Sequence, residues 1–324
     1  MSFLCKTAIA ATTFVSLLSA ASAESTGTYM PGPVHMAEAR SRQLCESQPG
    51  RIFVSIKNGS ECIAYSVTPG NENRSEAVFF FDGDAPPQAD ADAFSKYMEQ
   101  GKRSAEWQMQ NWAKNFRIRY FYLARLGVQG SSGNSRRRRT PHETLVMGLA
   151  AKTLAKRYGI ERIAIAGQSG GSTIGAGMLT MRFGGIKCMA LGSGAYDPIG
   201  LLADANGAKG QTVDREALKR KIYNPASYVR SIPADPERRI FVLGDPQDPK
   251  ATFAQQARFV EGLQDSGSRA TLIKIAAQNH HGASDYALAA AGACMNGMQD
   301  AAIVKAMNGI SKIKLARAAA ANAQ

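Results

Sequence analysis

Near the middle of the chain, Gly167-Gln168-Ser169-Gly170-Gly171 sets a serine among glycines in the pattern G-x-S-x-G. The apolar run before it, Arg162 to Ala166, reads as a strand, and a helical pattern, Thr173 to Met181, follows. A serine on so tight a strand-to-helix turn has a strained backbone, and its neighbours tolerate almost no side chain, which is what the glycines provide. The start of the next helix favours negative charge developing beside it. The chemistry that suits these residues is attack by the Ser169 hydroxyl on a carbonyl, through a covalent acyl intermediate. Two other uses of a glycine-rich loop do not fit. A dinucleotide fingerprint needs G-x-G-x-x-G, and Ser169 occupies the second glycine's place; a phosphate-binding loop needs a Lys before Ser/Thr, and none is present.

A serine nucleophile needs a base, an acid to orient that base, and donors for the oxyanion. Of the four histidines, His35 and His142 precede Ser169, and the order that goes with this turn is Ser, acid, His. That leaves His280 and His281, just after the last apolar run. His281 is preferred because the following Gly282 keeps the loop narrow over Ser169. The acid should follow the penultimate strand, in Gly244-Asp245-Pro246-Gln247-Asp248-Pro249. Asp248, deeper in that loop, is preferred, whereas Asp245 is placed to cap the turn. The oxyanion donors expected are the backbone N–H of Gly170 and that of Asp84, in the loop Phe81-Asp82-Gly83-Asp84-Ala85.

The elements that must position these residues can be read from the apolar runs. Arg51 to Ile56 and Glu61 to Val67, split by Lys57-Asn58-Gly59-Ser60, form a hairpin pattern. Ala77 to Phe81, Phe116 to Leu123, Arg162 to Ala166, Ile186 to Leu191, Ile240 to Leu243 and Ala270 to Ala276 are runs of the kind found in strands covered on both faces. Helical patterns lie between them at Glu143 to Arg157, Thr173 to Met181 and Thr252 to Leu263. This alternation predicts an α/β fold with a mostly parallel, doubly wound sheet, the antiparallel hairpin forming its edge. Tyr196 to Arg239 is long, polar and without a strand, and reads as a helical cap inserted over the C-terminal edge of the sheet.

The first residues lie outside this plan. Lys6, the apolar stretch Thr7 to Leu18 and the small residues Ala21-Ser22-Ala23 form an export signal with cleavage expected after Ala23. Export to a periplasm or out of the cell follows, and no later run is apolar enough for a membrane span. The roughly 300 residues that remain suit one large domain, residues 24–324. Four cysteines stay in that part, and Cys45–Cys62 with Cys188–Cys294 is the preferred pairing. The net charge of +13 is diffuse apart from Arg136 to Arg139, which reads as an exposed loop. No aromatic residues interleave with those arginines, so a nucleic-acid partner is not expected.

Taken together, these segments resemble the α/β-hydrolases. The resemblance rests on the strand before Asp82-Gly83-Asp84, on Ala124-Arg125-Leu126-Gly127 with Gly130-Ser131-Ser132-Gly133, and on Gly167 to Gly171. Asn224-Pro225-Ala226-Ser227-Tyr228-Val229, then Gly244 to Asp248 and His281-Gly282, are similar to the prolyl oligopeptidase-like branch, without its propeller. The resemblance covers about Ala77 to Gly282. Asp82-Gly83 stands where that family usually has His-Gly, and Pro249-Lys250-Ala251-Thr252 where a Val-Pro pair is common. It implies an α/β-hydrolase fold and a serine hydrolase acting on a small-molecule ester or a peptide, with esterase preferred over peptidase and no metal or organic cofactor. The alternatives are an exported peptidase or aminopeptidase, or a catalytically silent binding protein.

Overall fold

The computed structural model describes residues 41–57, 59–70, 74–84 and 91–321. The expected export signal and most of the proline-containing lead-in after it, residues 24 to about 50, fall outside them. The sheet is built from β1 (Arg51–Ile56), β2 (Gly59–Val67), β3 (Glu76–Phe81), β4 (Arg119–Leu123), β5 (Arg162–Gln168), β6 (Ile186–Gly192), β7 (Arg239–Gly244) and β8 (Arg269–Lys274). Their order in space is β1-β2-β4-β3-β5-β6-β7-β8. β1 and β2 form the antiparallel hairpin, β2 runs antiparallel to β4, and the other neighbours are parallel. The anticipated runs are the strands, with boundaries moved by one to three residues, most at the start of β4. β4 begins at Arg119 because Phe116 ends a helix and Arg117 turns the chain at φ 55°.

Both faces of the sheet are covered, as the continuous apolar runs require. Alternate residues of β3 point to opposite sides: Phe79 and Phe81 join the core under α3 (Pro141–Arg157), α4 (Gly170–Thr180) and α7 (Phe253–Asp265). Val78 and Phe80 join the core under α2 (Ala91–Phe116), α8 (Ala283–Met295) and α9 (Asp300–Ala321). Neither α2 nor α8 was anticipated from the sequence. The buried positions of α2 (Phe94, Met98, Ala105, Met109, Ala113) are sparse on a largely polar helix. In α8 the apolar residues run all round, so the helix lacks a periodic stripe to read.

Between β6 and β7 lie α5 (Pro198–Gly207), α6 (Arg215–Lys221) and a 3₁₀ turn, Pro225–Ser231, that packs against α4 and α7. The segment is helical, as read from the sequence, but its residues do not line the clefts described below; α2 takes that position. Cys45 is bonded to Cys62 and Cys188 to Cys294. No helix among the described residues is long and apolar enough to cross a membrane.

Candidate active site

β5 ends at Gln168, and α4 begins at Gly170, so Ser169 alone makes the turn. Its backbone, φ 52° and ψ −118°, lies in a region that L-residues rarely enter. The glycines permit it. A Cβ on Gly171 would lie 1.9 Å from the Phe81 carbonyl oxygen, and one on Gly167 2.7 Å from the backbone of Gly171 and Ser172. Helix and strand approach more closely than any side chain allows.

The histidine that meets Ser169 is His280 and not the expected His281. His280 Nε2 lies 2.7 Å from Ser169 Oγ, and its Nδ1 lies 2.8 Å from Asp248 Oδ2. The physical reason is the short 3₁₀ turn His280–Gly282, capped by Asn279, whose Oδ1 accepts from the N–H groups of His281 and Gly282. That turn directs His280 inward, where it is buried, and His281 outward, where its Nε2 lies 3.0 Å from the Tyr97 hydroxyl. Narrowness after the base therefore does not decide between the two. Gly282 answers a different need, since a Cβ there would meet the Ala277 carbonyl oxygen at 2.1 Å.

Asp248, the preferred aspartate of its loop, is the one that meets His280. Burial opposes its ionisation, but hydrogen bonds from His280 and from the Lys250 amide outweigh that and hold its carboxyl down at about 2. Asp248 is thus a carboxylate that can fix one tautomer of His280 and stabilise its protonated form. Asp245 caps the turn instead, accepting from the Gln247 and Ala277 N–H groups.

The loop after β3 comes up against the serine: a Cβ on Gly83 would lie 3.2 Å from Ser169 Cβ. Asp84 is fastened by a buried ion-pair network. Its Oδ1 accepts from Arg125 Nη1 at 2.6 Å and its Oδ2 from Arg139 Nε at 2.9 Å. Arg125 also grips both oxygens of Glu143, at 2.9 and 3.1 Å. Burial works against the Asp84 carboxylate, but the three arginines Arg139, Arg125 and Arg138 hold it far below the usual range. A Cβ on Gly170 would lie 2.6 Å from both Asp84 Oδ1 and Arg125 Nη1, so the two expected oxyanion residues are neighbours. Arg136 and Arg137 are exposed, as read for the basic run, whereas Arg139 belongs to this network.

Three positioning features escaped the sequence reading. Gln168, buried beside the nucleophile, donates from Nε2 to the His280 carbonyl at 2.8 Å. Arg125 and Glu143 pair far apart in sequence, and an arginine beside the apolar Phe121 to Leu123 was the available signal. The third is α2, whose face forms one wall of a cleft of about 390 Å³ beside Gly83, Gln168 and His281.

No family model matches the sequence, and no curated protein matches it. Solved structures do. The chain is similar to Est1E from Butyrivibrio proteoclasticus, solved with ferulic acid bound, with a TM-score of 0.51 and 12% identity over 83% of this chain and 99% of that one. It is similar to the Pyrococcus furiosus esterase Pf2001, with a TM-score of 0.52 and 14% identity over 82% of this chain and 97% of that one. The chain has the α/β-hydrolase fold. Puromycin hydrolase shares it, with a TM-score of 0.54 and 15% identity, though this chain spans only 40% of that protein and 78% of its own length is matched. Ser169, Asp248 and His280 follow one another along the chain, after β5, β7 and β8.

Proposed function

We propose that the protein is a serine hydrolase that cleaves a carboxylic ester through an acyl-enzyme. The reading rests on the unbroken chain of contacts Ser169 Oγ–His280–Asp248, at 2.7 and 2.8 Å, with the serine on its strained turn. His280 takes the Ser169 proton as Oγ bonds to the substrate carbonyl carbon. The negative oxygen is held by the Gly170 N–H at the start of α4 and by the Asp84 N–H, the Gly83 N–H being occupied by Asp82 Oδ1 at 2.7 Å. The carbon–oxygen bond to the leaving alcohol then breaks, and His280 gives that alcohol the proton. Water, activated by His280, releases the acid and restores Ser169. The steps need no metal or organic cofactor. Asp248 keeps Nδ1 protonated and balances the imidazolium.

Two disulfides fit a protein that works outside the reducing cytosol, in agreement with an export signal cleaved after Ala23. The experiment is labelling of the folded protein with a fluorophosphonate probe, which reacts with activated serines. Labelling should occur in the native chain and vanish in Ser169→Ala and His280→Ala. A folded protein that does not label, or a Ser169→Ala variant that does, contradicts the proposal. Nitrophenyl esters and peptide anilides of one acid then separate esterase from peptidase.

A further inference from the structure

We infer that the cleft beside Ser169 holds the alcohol portion of the substrate, and that this portion is an uncharged, polyhydroxylated group such as a sugar or polyol. The inference rests on the hydrolase reading above and names the substrate class of the same site.

Position comes first. The leaving oxygen must receive its proton from His280, so the alcohol lies on the histidine side of the serine. The cleft of about 390 Å³ opens there, between α2 and the segment Asn279–Ser284 that carries the base. Its size is in the range of about 300–1,000 Å³ typical of small-molecule sites.

Charge comes second. The chain carries a net charge of +13, yet among the described residues lining the cleft there is no lysine or arginine. An anionic alcohol meets no lysine or arginine among these lining residues. A cationic one finds little free negative charge: Asp84 is engaged by Arg125 and Arg139, and burial pushes the Asp82 carboxyl toward its neutral form. What the lining offers is amides and hydroxyls: Tyr97, Gln100, Ser104, Gln108, Asn279 and Ser284. Amides and hydroxyls both donate and accept, as a substrate hydroxyl does. Part of that capacity is spent internally, since Ser284 Oγ donates to Gln108 Oε1 at 2.9 Å and Asn279 Oδ1 accepts two backbone N–H groups. The amide NH₂ groups of Gln108 and Asn279 are left to bond outward.

Shape decides between a hydroxylated compound and a peptide. An extended peptide is usually held by pairing with an exposed strand edge. The two long walls are helical, α2 on one side and the 3₁₀ turn running into α8 on the other, with the loop Asp82–Asp84 closing the end at Ser169, and helical backbone groups are committed to their own ladders. Recognition must come from side chains, which suits a compact ligand bearing several hydroxyls.

The test compares kcat/KM of the whole protein for 6-O-butyryl glucose and for hexyl butyrate, two esters of one acid. The sugar ester should be preferred by about tenfold or more, because a site built of polar groups rejects an analogue that leaves them unpaired. In Gln108→Leu and Ser104→Val the preference should shrink through KM for the sugar ester. In Ser169→Ala, which cannot turn over, glucose ester should still bind and the hexyl ester bind more weakly by calorimetry. Equal or reversed preference in a protein that labels with fluorophosphonate overturns the inference and leaves the hydrolase reading standing. A preference unchanged in both variants overturns it too. Absence of labelling, by contrast, removes the hydrolase reading itself.

Discussion

His280 and His281 are adjacent in the chain and opposite in surroundings, one buried against Ser169 and Asp248, the other exposed beside Tyr97. Their alanine variants should separate sharply. His280→Ala should cut kcat/KM for a nitrophenyl ester by about 10⁴-fold or more, as loss of a base does in such sites. His281→Ala, which loses the Tyr97 contact and an edge contact with the His280 ring but leaves His280 in place, should cost less than about tenfold on the same scale. Asp248 carries a pH signature as well. Its carboxyl is held at about 2 in the folded chain, below the ordinary value of about 3.9, so the stability it contributes is complete above about pH 4 and is lost as pH falls through 2. Between pH 5 and pH 2 the Tm of the wild type should therefore fall more steeply than that of Asp248→Asn, measured by calorimetry. The Ser, the acid loop and the histidine pair were legible in the sequence because motif, chain order and strand ends constrain them jointly. The choice between adjacent histidines was not, because it depends on which one a capped 3₁₀ turn directs inward.

At the scale of elements, the strands were readable and two of the helices that build the site were not. Runs such as Ala77 to Phe81 are apolar because both faces are covered, and that signal is strong at short range. α2 supplies a cleft wall from a mostly polar stretch, and its identity rests on contacts with α8 and β4 that local pattern does not contain. The same dependence on distant segments governs the loop after β3. Removing Arg125 leaves Asp84 and Glu143 with a buried partner missing, so Arg125→Met should lower the unfolding free energy by about 3–5 kcal/mol in urea titration. Arg125→Lys should recover only part of this, because one ammonium does not span both carboxylates as the planar guanidinium does. Gly171→Ala addresses the opposite constraint, backbone against backbone. With Phe81 O at 1.9 Å from the added carbon, the strand and helix must separate, and a loss of more than about 4 kcal/mol, or no soluble protein, is expected.

Across the whole molecule, the two disulfides close loops of very different length. Cys45–Cys62 closes 17 residues and holds the lead-in to the edge hairpin; Cys188–Cys294 closes 106 and holds the end of α8 to β6. In the chain-entropy account a loop of about 100 residues is worth about 4.7 kcal/mol against about 3 for a loop of about 15. The Cys188→Ala/Cys294→Ala pair should thus lower Tm more than Cys45→Ala/Cys62→Ala, read by thermal melts of each variant. The overall plan, a doubly wound sheet with an antiparallel edge, was legible because alternation of strand and helix leaves few topologies. The diffuse positive charge said little, and of the basic run Arg138 and Arg139 act on Asp84 while Arg136 and Arg137 are exposed. α8 has one more consequence, in the order of events during synthesis. It covers β3, β5, β6 and β7 from one side, yet it is made after all of them. Until residue 295 has left the ribosome, Val78, Phe80, Ala164 and Ala190 have no cover from this helix, and His280, just before it, has no anchor. Until that helix is made, the nascent chain carries an uncovered apolar face on this side of the sheet, and the finished core can form only after it.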